Sequence, residues 1–150
     1  MIYLAIDPGL KGGYAIQYDD KSIVAYPMPV IGNEIQVQEI VNEINSPQVK
    51  VIIEKVGAMP KQGVTSMFTF GKGFGQLIGM CQTMGWAYDF VTPQAWKKVV
   101  LSGTPKDKNA AVSFVSRTFP SISLIPEGCR KPHDGIADAL CLLKYVLISK

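Results

Sequence analysis

The first third of the chain alternates short apolar runs with turn-forming residues. Apolar runs at residues 2–6, 14–18 and 22–26 are separated by glycine, proline and paired aspartates, which predicts three strands joined by short turns. A fourth run, at residues 49–53, predicts a buried strand that ends at Glu54. The carboxyl end of such a strand is where open sheets place functional side chains.

Apolar residues at helical spacing occupy much of the remaining sequence. They predict helices at residues 33–44, 66–84, 93–98 and 107–119, and a last helix from Pro132 onward. A further strand is predicted at residues 87–91. The order of three strands followed by alternating helices and strands is typical of an α/β fold.

Glycines interrupt the long helix predicted at residues 66–84. Gly71, Gly75 and Gly79 recur at every fourth position and therefore lie on one helical face. Each costs about 1 kcal/mol of helix propensity, and a stripe without side chains permits close approach of another element. We expect this face to pack on the sheet.

The composition is that of one folded domain spanning residues 1–150. Apolar residues make up 47% of the chain and charged residues 18%, which suits a globule with a packed core. The net charge is +3, from 15 Lys and Arg against 12 Asp and Glu, so a polyanionic partner is permitted but not required. Most of the cations are lysines, which suit phosphate contacts better than base recognition.

The cysteines and the hydropathy pattern indicate an intracellular protein without a membrane anchor. Cys81, Cys129 and Cys141 form no metal-binding spacing and no even disulfide set, which favours a reducing compartment. Asp7 interrupts the first apolar run too early for a secretory signal, so none is expected. The most apolar run, residues 136–148, is shorter than the roughly 20 residues that span a bilayer and is expected to form a buried helix.

Four acidic residues stand where the pattern predicts burial, namely Asp7, Glu54, Asp134 and Asp138. Each interrupts or ends an apolar segment, where a lone carboxylate is costly unless a cation or a hydrogen-bond donor compensates its charge. Asp134 and Asp138 are four residues apart on one face of the last helix, so their carboxylates repel each other without a positive partner. If the four side chains converge, they predict a metal site.

Each of these acids also has a simpler interpretation. Asp7 suits a turn at the end of its strand, and Glu54 suits a solvated strand end. The helix dipole favours Asp134 at a helix N-terminus. Asp138 fits a single polar position within a core stripe, although its small alanine neighbours leave room for another backbone to pass nearby.

The acids belong to motifs that follow one another along nearly the whole chain. The motifs are Ile6-Asp7-Pro8-Gly9, Val51-Ile52-Ile53-Glu54, the glycine-interrupted stretch 68–79, Val91-Thr92-Pro93-Gln94-Ala95-Trp96-Lys97-Lys98 and His133-Asp134-Gly135-Ile136-Ala137-Asp138-Ala139-Leu140. In this order they resemble the RuvC family of Holliday junction resolvases, in a small form such as those carried by phages. That family lies within the ribonuclease H-like and retroviral integrase superfamily.

The resemblance implies a ribonuclease H-like α/β fold with a central five-stranded mixed sheet and helices on both faces. It implies a homodimer that resolves four-way DNA junctions by paired symmetric nicks, in the cytoplasm of a bacterium or a phage-infected cell. It assigns catalysis and metal binding to Asp7, Glu54, Asp134 and Asp138. Carboxylates prefer hard cations, so two Mg²⁺ ions are expected, and Mn²⁺ should be able to substitute for them. The expected mechanism is in-line hydrolysis of a phosphodiester with both metal ions.

The chain departs from the family pattern at its last motif. In well-known bacterial members the final pair is three residues apart, with Asp or His at the earlier place, whereas Asp134 and Asp138 are four apart and follow His133. Spacings of three and four return to the same helical face, while five does not, so Asp134 is favoured over His133 as the ligand. His133 is an accessory candidate beside a phosphate or the attacking water, or else a structural or surface histidine.

Lysines and phenylalanines around the acids are expected to contact DNA. Phe68 and Phe70 would wedge against unstacked bases at a junction, or else pack in the core, which is the preferred interpretation for Phe74. Any single lysine also fits an ordinary solvated surface. The lysines expected on the DNA backbone are Lys55, Lys61, Lys72, Lys97, Lys98, Lys106, Lys108 and Lys131.

Three other functions use parts of the same pattern. An actin-like ATPase would bind phosphate at the hairpin of residues 7–13, but 150 residues provide no second lobe for the nucleotide. A general flap or branched-DNA nuclease, or a ribonuclease H-like RNase, would have the same active-site acids. These acids indicate cleavage of a phosphodiester but not the shape of the substrate. A non-catalytic DNA-binding module is disfavoured by the presence of all four acids.

Overall fold

The computed structural model describes residues 1–57 and 63–149. Its strands are β1 (Ile2–Asp7), β2 (Gly13–Gln17), β3 (Ile23–Pro27), β4 (Val30–Ile31), β5 (Glu34–Ile35), β6 (Val49–Glu54) and β7 (Ala87–Val91). Its helices are α1 (Val37–Asn42), α2 (Val64–Met84), α3 (Pro93–Val100), α4 (Ala110–Thr118) and α5 (Asp134–Ser149). Within the described part of the chain, no helix combines the length and hydropathy that crossing a bilayer needs.

Five strands form one mixed sheet in the order β3-β2-β1-β6-β7. The meander β1-β2-β3 is antiparallel, whereas β6 runs parallel to β1, and β7 runs parallel to β6. This arrangement confirms the predicted α/β class and the predicted five-stranded mixed sheet. Because β1, β6 and β7 run in the same direction, their carboxyl ends lie at the same edge of the sheet.

Helices cover both faces of this sheet, as predicted. Side chains alternate along a strand, so in β1 the residues Leu4 and Ile6 pack in the core shared with α1 and α2, while Ala5 packs in the core shared with α3, α4 and α5. Two separate hydrophobic layers result. We refer below to the α2 face and the α5 face of the sheet.

The prediction of a helix at residues 33–44 is wrong for the first residues of that range. Residues 30–35 instead form the small antiparallel hairpin of β4 and β5, which turns at Gly32 with φ +61°, and helix α1 begins only at Val37. Ile35 fits both a helical and an alternating pattern, and the turn chemistry of Gly32 decides for the hairpin. Helices α4 and α5 also begin later than predicted, at Ala110 and Asp134, whereas α2 begins two residues earlier than predicted, at Val64.

The expectation that the glycine stripe packs on the sheet is also wrong. A Cβ placed on Gly71, Gly75 or Gly79 would have no described atom within 4 Å, so these three glycines do not pack on the sheet. The buried stripe runs instead through Gly73, Leu77, Met80 and Cys81. Burial of large apolar side chains therefore orients α2, and only Gly73 is close-packed, 2.8 Å from Ile35 Cδ1 if given a Cβ.

Candidate active site

The sheet brings Asp7 and Glu54 together. They are the last residues of the neighbouring parallel strands β1 and β6. Two positions earlier, Ala5 pairs with Ile52, and both of these side chains belong to the core of the α5 face. Because side chains repeat every second residue along a strand, Asp7 and Glu54 also emerge on the α5 face.

Helix α5 reaches this edge through a contact that only glycine permits. A Cβ on Gly135 would lie 2.3 Å from the carbonyl carbon of Gly12, and a Cβ on Gly13 would lie 2.8 Å from that of Gly135. Both separations are shorter than real Cβ contacts, so the turn before β2 and the first turn of α5 touch backbone to backbone. Asp138 lies one turn further along α5 and is thereby brought to the strand ends.

The resulting acidic cluster, Asp7, Glu54 and Asp138, has an excess of negative charge. Burial raises the pKa of Asp7 to about 9, and Glu54 and Asp138 add to the rise while Lys97 opposes it. Burial also raises the pKa of Asp138 to about 6, with further contributions from Glu54 and Asp134 and an opposing one from Lys97. Like charges in a low-dielectric site disfavour ionisation, and a cation would relieve this repulsion.

Trp96 holds Glu54 in place. Glu54 is 6% exposed and Trp96 is fully buried, and the indole N–H of Trp96 donates to Oε2 of Glu54 at 2.5 Å. Helix α3 presents this donor because it begins at Pro93 and is capped by Thr92, whose hydroxyl accepts from the Ala95 N–H at 3.2 Å. A buried carboxylate oxygen thus has a fixed partner.

Neither Trp96 nor the charge-balancing role of Lys97 was assigned from the sequence. The sequence gives Trp96 no role beyond its place in a motif, and it predicts only a DNA contact for Lys97. The Nζ atom of Lys97 lies 5.5 Å from the centroid of the Trp96 ring, and its charge acts on both Asp7 and Asp138. The sequence does contain a signal for both roles. An indole N–H donor and a lysine stand side by side shortly after β7, the strand that pairs with β6.

Asp134 and His133 occupy the start of α5. Asp134 is exposed as the first residue of the helix, and its charge acts on Asp138. The Nδ1 atom of His133 accepts from the backbone N–H of Ile136 at 3.2 Å, which caps the helix. This contact supports the structural interpretation of His133, because the capping nitrogen is engaged by the protein itself.

The donor set suits a hard divalent cation. It consists of carboxylate oxygens with surplus negative charge, as Mg²⁺ prefers. Among residues 1–57 and 63–149, however, no three His, Cys, Asp or Glu side chains are already spaced to hold one ion. Burial and the neighbouring Glu54 carboxylate both raise the pKa of Asp7, so Asp7 holds a proton at neutral pH that a bound cation would displace.

The predicted aromatic contacts lie in different environments. Phe70 lines a cavity of about 690 Å³ together with Asp7 and the turn that follows β1, and its ring stacks on Phe74 at 6.1 Å. Phe74 packs against the core of the α2 face, which confirms its interpretation as a core residue. Phe68 is 73% exposed and has no such packing role.

The predicted DNA-contacting lysines are spread over several surfaces. Lys97, Lys98, Lys106 and Lys108 line one cavity of about 720 Å³ between α3 and α4. Lys61 lies outside the described residues. The remaining predicted lysines, all exposed, are Lys55, Lys72 and Lys131.

Comparison with solved structures identifies the fold. RuvC from Thermus thermophilus in complex with a Holliday junction substrate matches with a TM-score of 0.59 and 15% identity, over 97% of this chain and 91% of that one. Another structure of T. thermophilus RuvC gives 0.55 and 16%, over 99% and 97% of the two chains. The yeast mitochondrial Holliday junction resolvase Ydc2 gives 0.58 and 13%, over 95% and 76%.

These similarities show that the chain has the ribonuclease H-like fold of RuvC-type resolvases, as predicted. No protein-family model matches the chain, and no curated protein matches its sequence. At such low identity the structural likeness concerns the fold, and function has to be argued from the site.

Proposed function

We propose that this protein is a magnesium-dependent endodeoxyribonuclease that resolves four-way DNA junctions by paired symmetric nicks. The observation that carries the proposal is the convergence of Asp7, Glu54 and Asp138 at one edge of the sheet, with the charge of Lys97 beside them. Three partly or fully buried carboxyl groups in mutual repulsion form an unfavourable arrangement for stability alone. The cost is explained if the cluster binds cations and a phosphodiester.

Asp7 is the central residue of the proposed site, because both Glu54 and Asp138 act on it. Asp7, Glu54 and Asp138 would hold Mg²⁺, with Asp134 at the exposed start of α5 as the fourth ligand. Mg²⁺ held by these residues would supply an activated water and stabilise the leaving 3′ oxygen. Trp96 keeps Glu54 oriented toward the cluster. No side chain is needed as a nucleophile.

Lysines and phenylalanines around the cluster support the proposal that the protein binds branched DNA. The lysines that line the cavity between α3 and α4 would contact phosphates, and these contacts should weaken as salt concentration rises. Phe70 lines a cavity together with Asp7, and the exposed Phe68 would stack on an unpaired base. A homodimer would supply the two active sites that paired nicks require.

A panel of substrates tests this function. Labelled four-way junction, flap, duplex DNA and RNA–DNA hybrid are incubated with the protein in Mg²⁺, in Mn²⁺ or in chelator. We expect symmetric nicks in the junction that depend on the metal, with Mn²⁺ replacing Mg²⁺. Preferential cleavage of the flap would make the protein a general branched-DNA nuclease, and preferential cleavage of the hybrid would make it a ribonuclease H.

Asp7→Asn tests whether the acidic cluster carries the chemistry. We expect cleavage to fall by at least about 10³-fold, while junction binding is kept or tightened because repulsion of phosphate decreases. Asp20→Asn is the matched control, since Asp20 is exposed in the turn at the opposite end of the sheet. Loss of junction binding together with cleavage in Asp7→Asn alone would show that Asp7 is structural.

A further inference from the structure

A second set of acidic and aromatic residues lies away from the candidate active site. A cavity of about 420 Å³ is lined by Tyr14, Tyr26, Glu39, Asn42 and Glu43 together with residues 27–29, and we call it the aromatic-acidic cavity. Tyr14 and Tyr26 belong to the core of the α2 face. Asp7 and Glu54 emerge on the other face of the sheet, so the two sites are separate.

The carboxylates of this cavity have no cationic partner in the described residues. The ion pairs among the described residues lie elsewhere: one joins the N-terminal amine to Asp19, and the other joins Lys50 to Asp89. Glu39 and Glu43 are both exposed and stand four residues apart along α1 and its end. Two negative charges therefore face the cavity unpaired, in a chain whose net charge is +3.

Two tyrosines lie close to Glu43. The hydroxyl of Tyr18 donates to the backbone carbonyl of Glu43 at 3.0 Å. Burial and the negative charge of Glu43 raise the pKa of Tyr26 above its ordinary value. The backbone of Glu43 is thus held at the rim of the cavity, and its charge acts on the aromatic wall.

Tyr14 provides an independent indication of a ligand. Its side chain is 4% exposed and lines the cavity, yet its hydroxyl makes no hydrogen bond within the described residues. In the described residues the fully enclosed side-chain atom without a partner is Oε1 of Gln76, so the Tyr14 hydroxyl is open to the cavity, where a ligand or water can bond it. The rings of Tyr14 and Tyr26 lie 5.4 Å apart at 43°, so the cavity has an aromatic wall.

We propose that the aromatic-acidic cavity binds an organic cation, either an alkylammonium or a guanidinium group. Glu39 and Glu43 supply the negative charge, the rings of Tyr14 and Tyr26 supply cation–π attraction, and the Tyr14 hydroxyl accepts an N–H of the ligand. Aromatic rings beside carboxylates favour such a group over a bare metal ion, which would need more oxygen ligands. The group can come from a free polyamine or from a basic side chain of a protein.

NMR titration of the tyrosine rings tests the proposal directly. The probes are putrescine, N-acetylarginine amide and an arginine-containing peptide, each compared with KCl at equal ionic strength. We expect saturable shifts of the Tyr14 and Tyr26 ring signals with the organic cations, at concentrations at least tenfold lower than any effect of K⁺. Tighter binding of the peptide would identify a protein side chain as the source, and tighter binding of putrescine would identify a polyamine.

The double variant Glu39→Gln/Glu43→Gln should weaken binding at least tenfold. Its matched control is Glu34→Gln/Asp89→Asn, which removes the same charge from two exposed residues outside the cavity. If the double variant unfolds, Tyr14→Phe replaces it and should weaken binding at least threefold. Shifts that do not saturate, that K⁺ reproduces, or that survive these variants would overturn the proposal, whatever the result of the cleavage assays.

Discussion

The two faces of the sheet each bury one tryptophan, and the two side chains have different partners. On the α2 face, Trp86 is 3% exposed and its N–H donates to the backbone carbonyl of Ser46 at 3.3 Å. On the α5 face, Trp96 is fully buried and donates to the carboxylate of Glu54 at 2.5 Å. On one face the tryptophan closes a hydrophobic layer, whereas on the other it holds an acid of the proposed active site.

The two faces also differ in the size of the side chains that the central strands bury. The α2 face buries large aliphatic side chains from the central strands, such as Leu4, Ile6 and Ile16. The corresponding positions of the α5 face include Ala5 and Ala15, which share their core with Ala137 and Ala139 of α5. Small side chains let α5 approach the strands closely, so the geometry of the acidic cluster depends on the absence of bulk.

Gly135→Ala should have the largest effect on stability, because it disrupts the close approach on the α5 face. The new Cβ would lie 2.3 Å from a backbone atom of Gly12, which cannot move aside as a flexible side chain can. We expect a loss of about 3 kcal/mol in the free energy of unfolding. Denaturant titration measures it, and a loss below about 1 kcal/mol would show that the contact is not tight.

Trp96→Phe and Trp86→Phe compare the two faces directly. Trp96→Phe leaves Oε2 of Glu54 without its donor, so we expect about 1–3 kcal/mol of destabilisation and at least a tenfold loss of junction cleavage. Trp86→Phe should reduce stability through lost packing but leave the cleavage rate of folded protein unchanged. Equal effects of both variants on cleavage would contradict the division of roles between the faces.

The pH dependence of stability should reveal the acidic cluster. In chelator, Asp7 and Asp138 have pKa values of about 9 and about 6 in the folded protein, against an ordinary value of 3.8. The folded state therefore binds more protons than the unfolded state above about pH 4, and stability falls as pH rises through 6 toward 9.

Thermal melts of metal-free protein from pH 5 to pH 9 measure this slope. Asp7→Asn removes the larger contribution, so we expect its melting temperature to exceed that of the wild type by roughly 2–8 °C at pH 8, for about 1–2 kcal/mol, and by less at pH 5. Asp20→Asn, at the opposite end of the sheet, should follow the wild-type slope. A pH-independent effect of Asp7→Asn would contradict the assignment.

Gly75→Ala should give the smallest change, and with the opposite sign to Gly135→Ala. A Cβ at this position meets open space, so the substitution gains helix propensity without a clash and should stabilise the protein by about 0.5–1 kcal/mol. Gly73→Ala in the same helix is the control, because its Cβ would lie 2.8 Å from Ile35 Cδ1. Destabilisation by Gly75→Ala would mean that another molecule packs on this face.

Several features were predictable because they are local or periodic. The strand that ends at Glu54 and the strand at residues 87–91 follow from apolar runs between turn residues, and both are found as predicted. The acids Asp7, Glu54 and Asp138 could be selected because a carboxylate within an apolar segment is costly by itself. The hairpin at residues 30–35 was missed because Ile35 satisfies two patterns, and the choice between them depends on a turn.

By itself, the sequence of this protein determined the α/β class, the strand meander and the identity of the acids, since these depend on composition and on the spacing of neighbouring residues. Only the tertiary structure decided which acids meet, how Trp96 and Lys97 act on them and which face of α2 is buried. The physical reason is that these outcomes depend on contacts between residues far apart in the chain. The approach of Gly12 and Gly13 to Gly135 is the clearest case, since none of the three glycines is exceptional within its own segment.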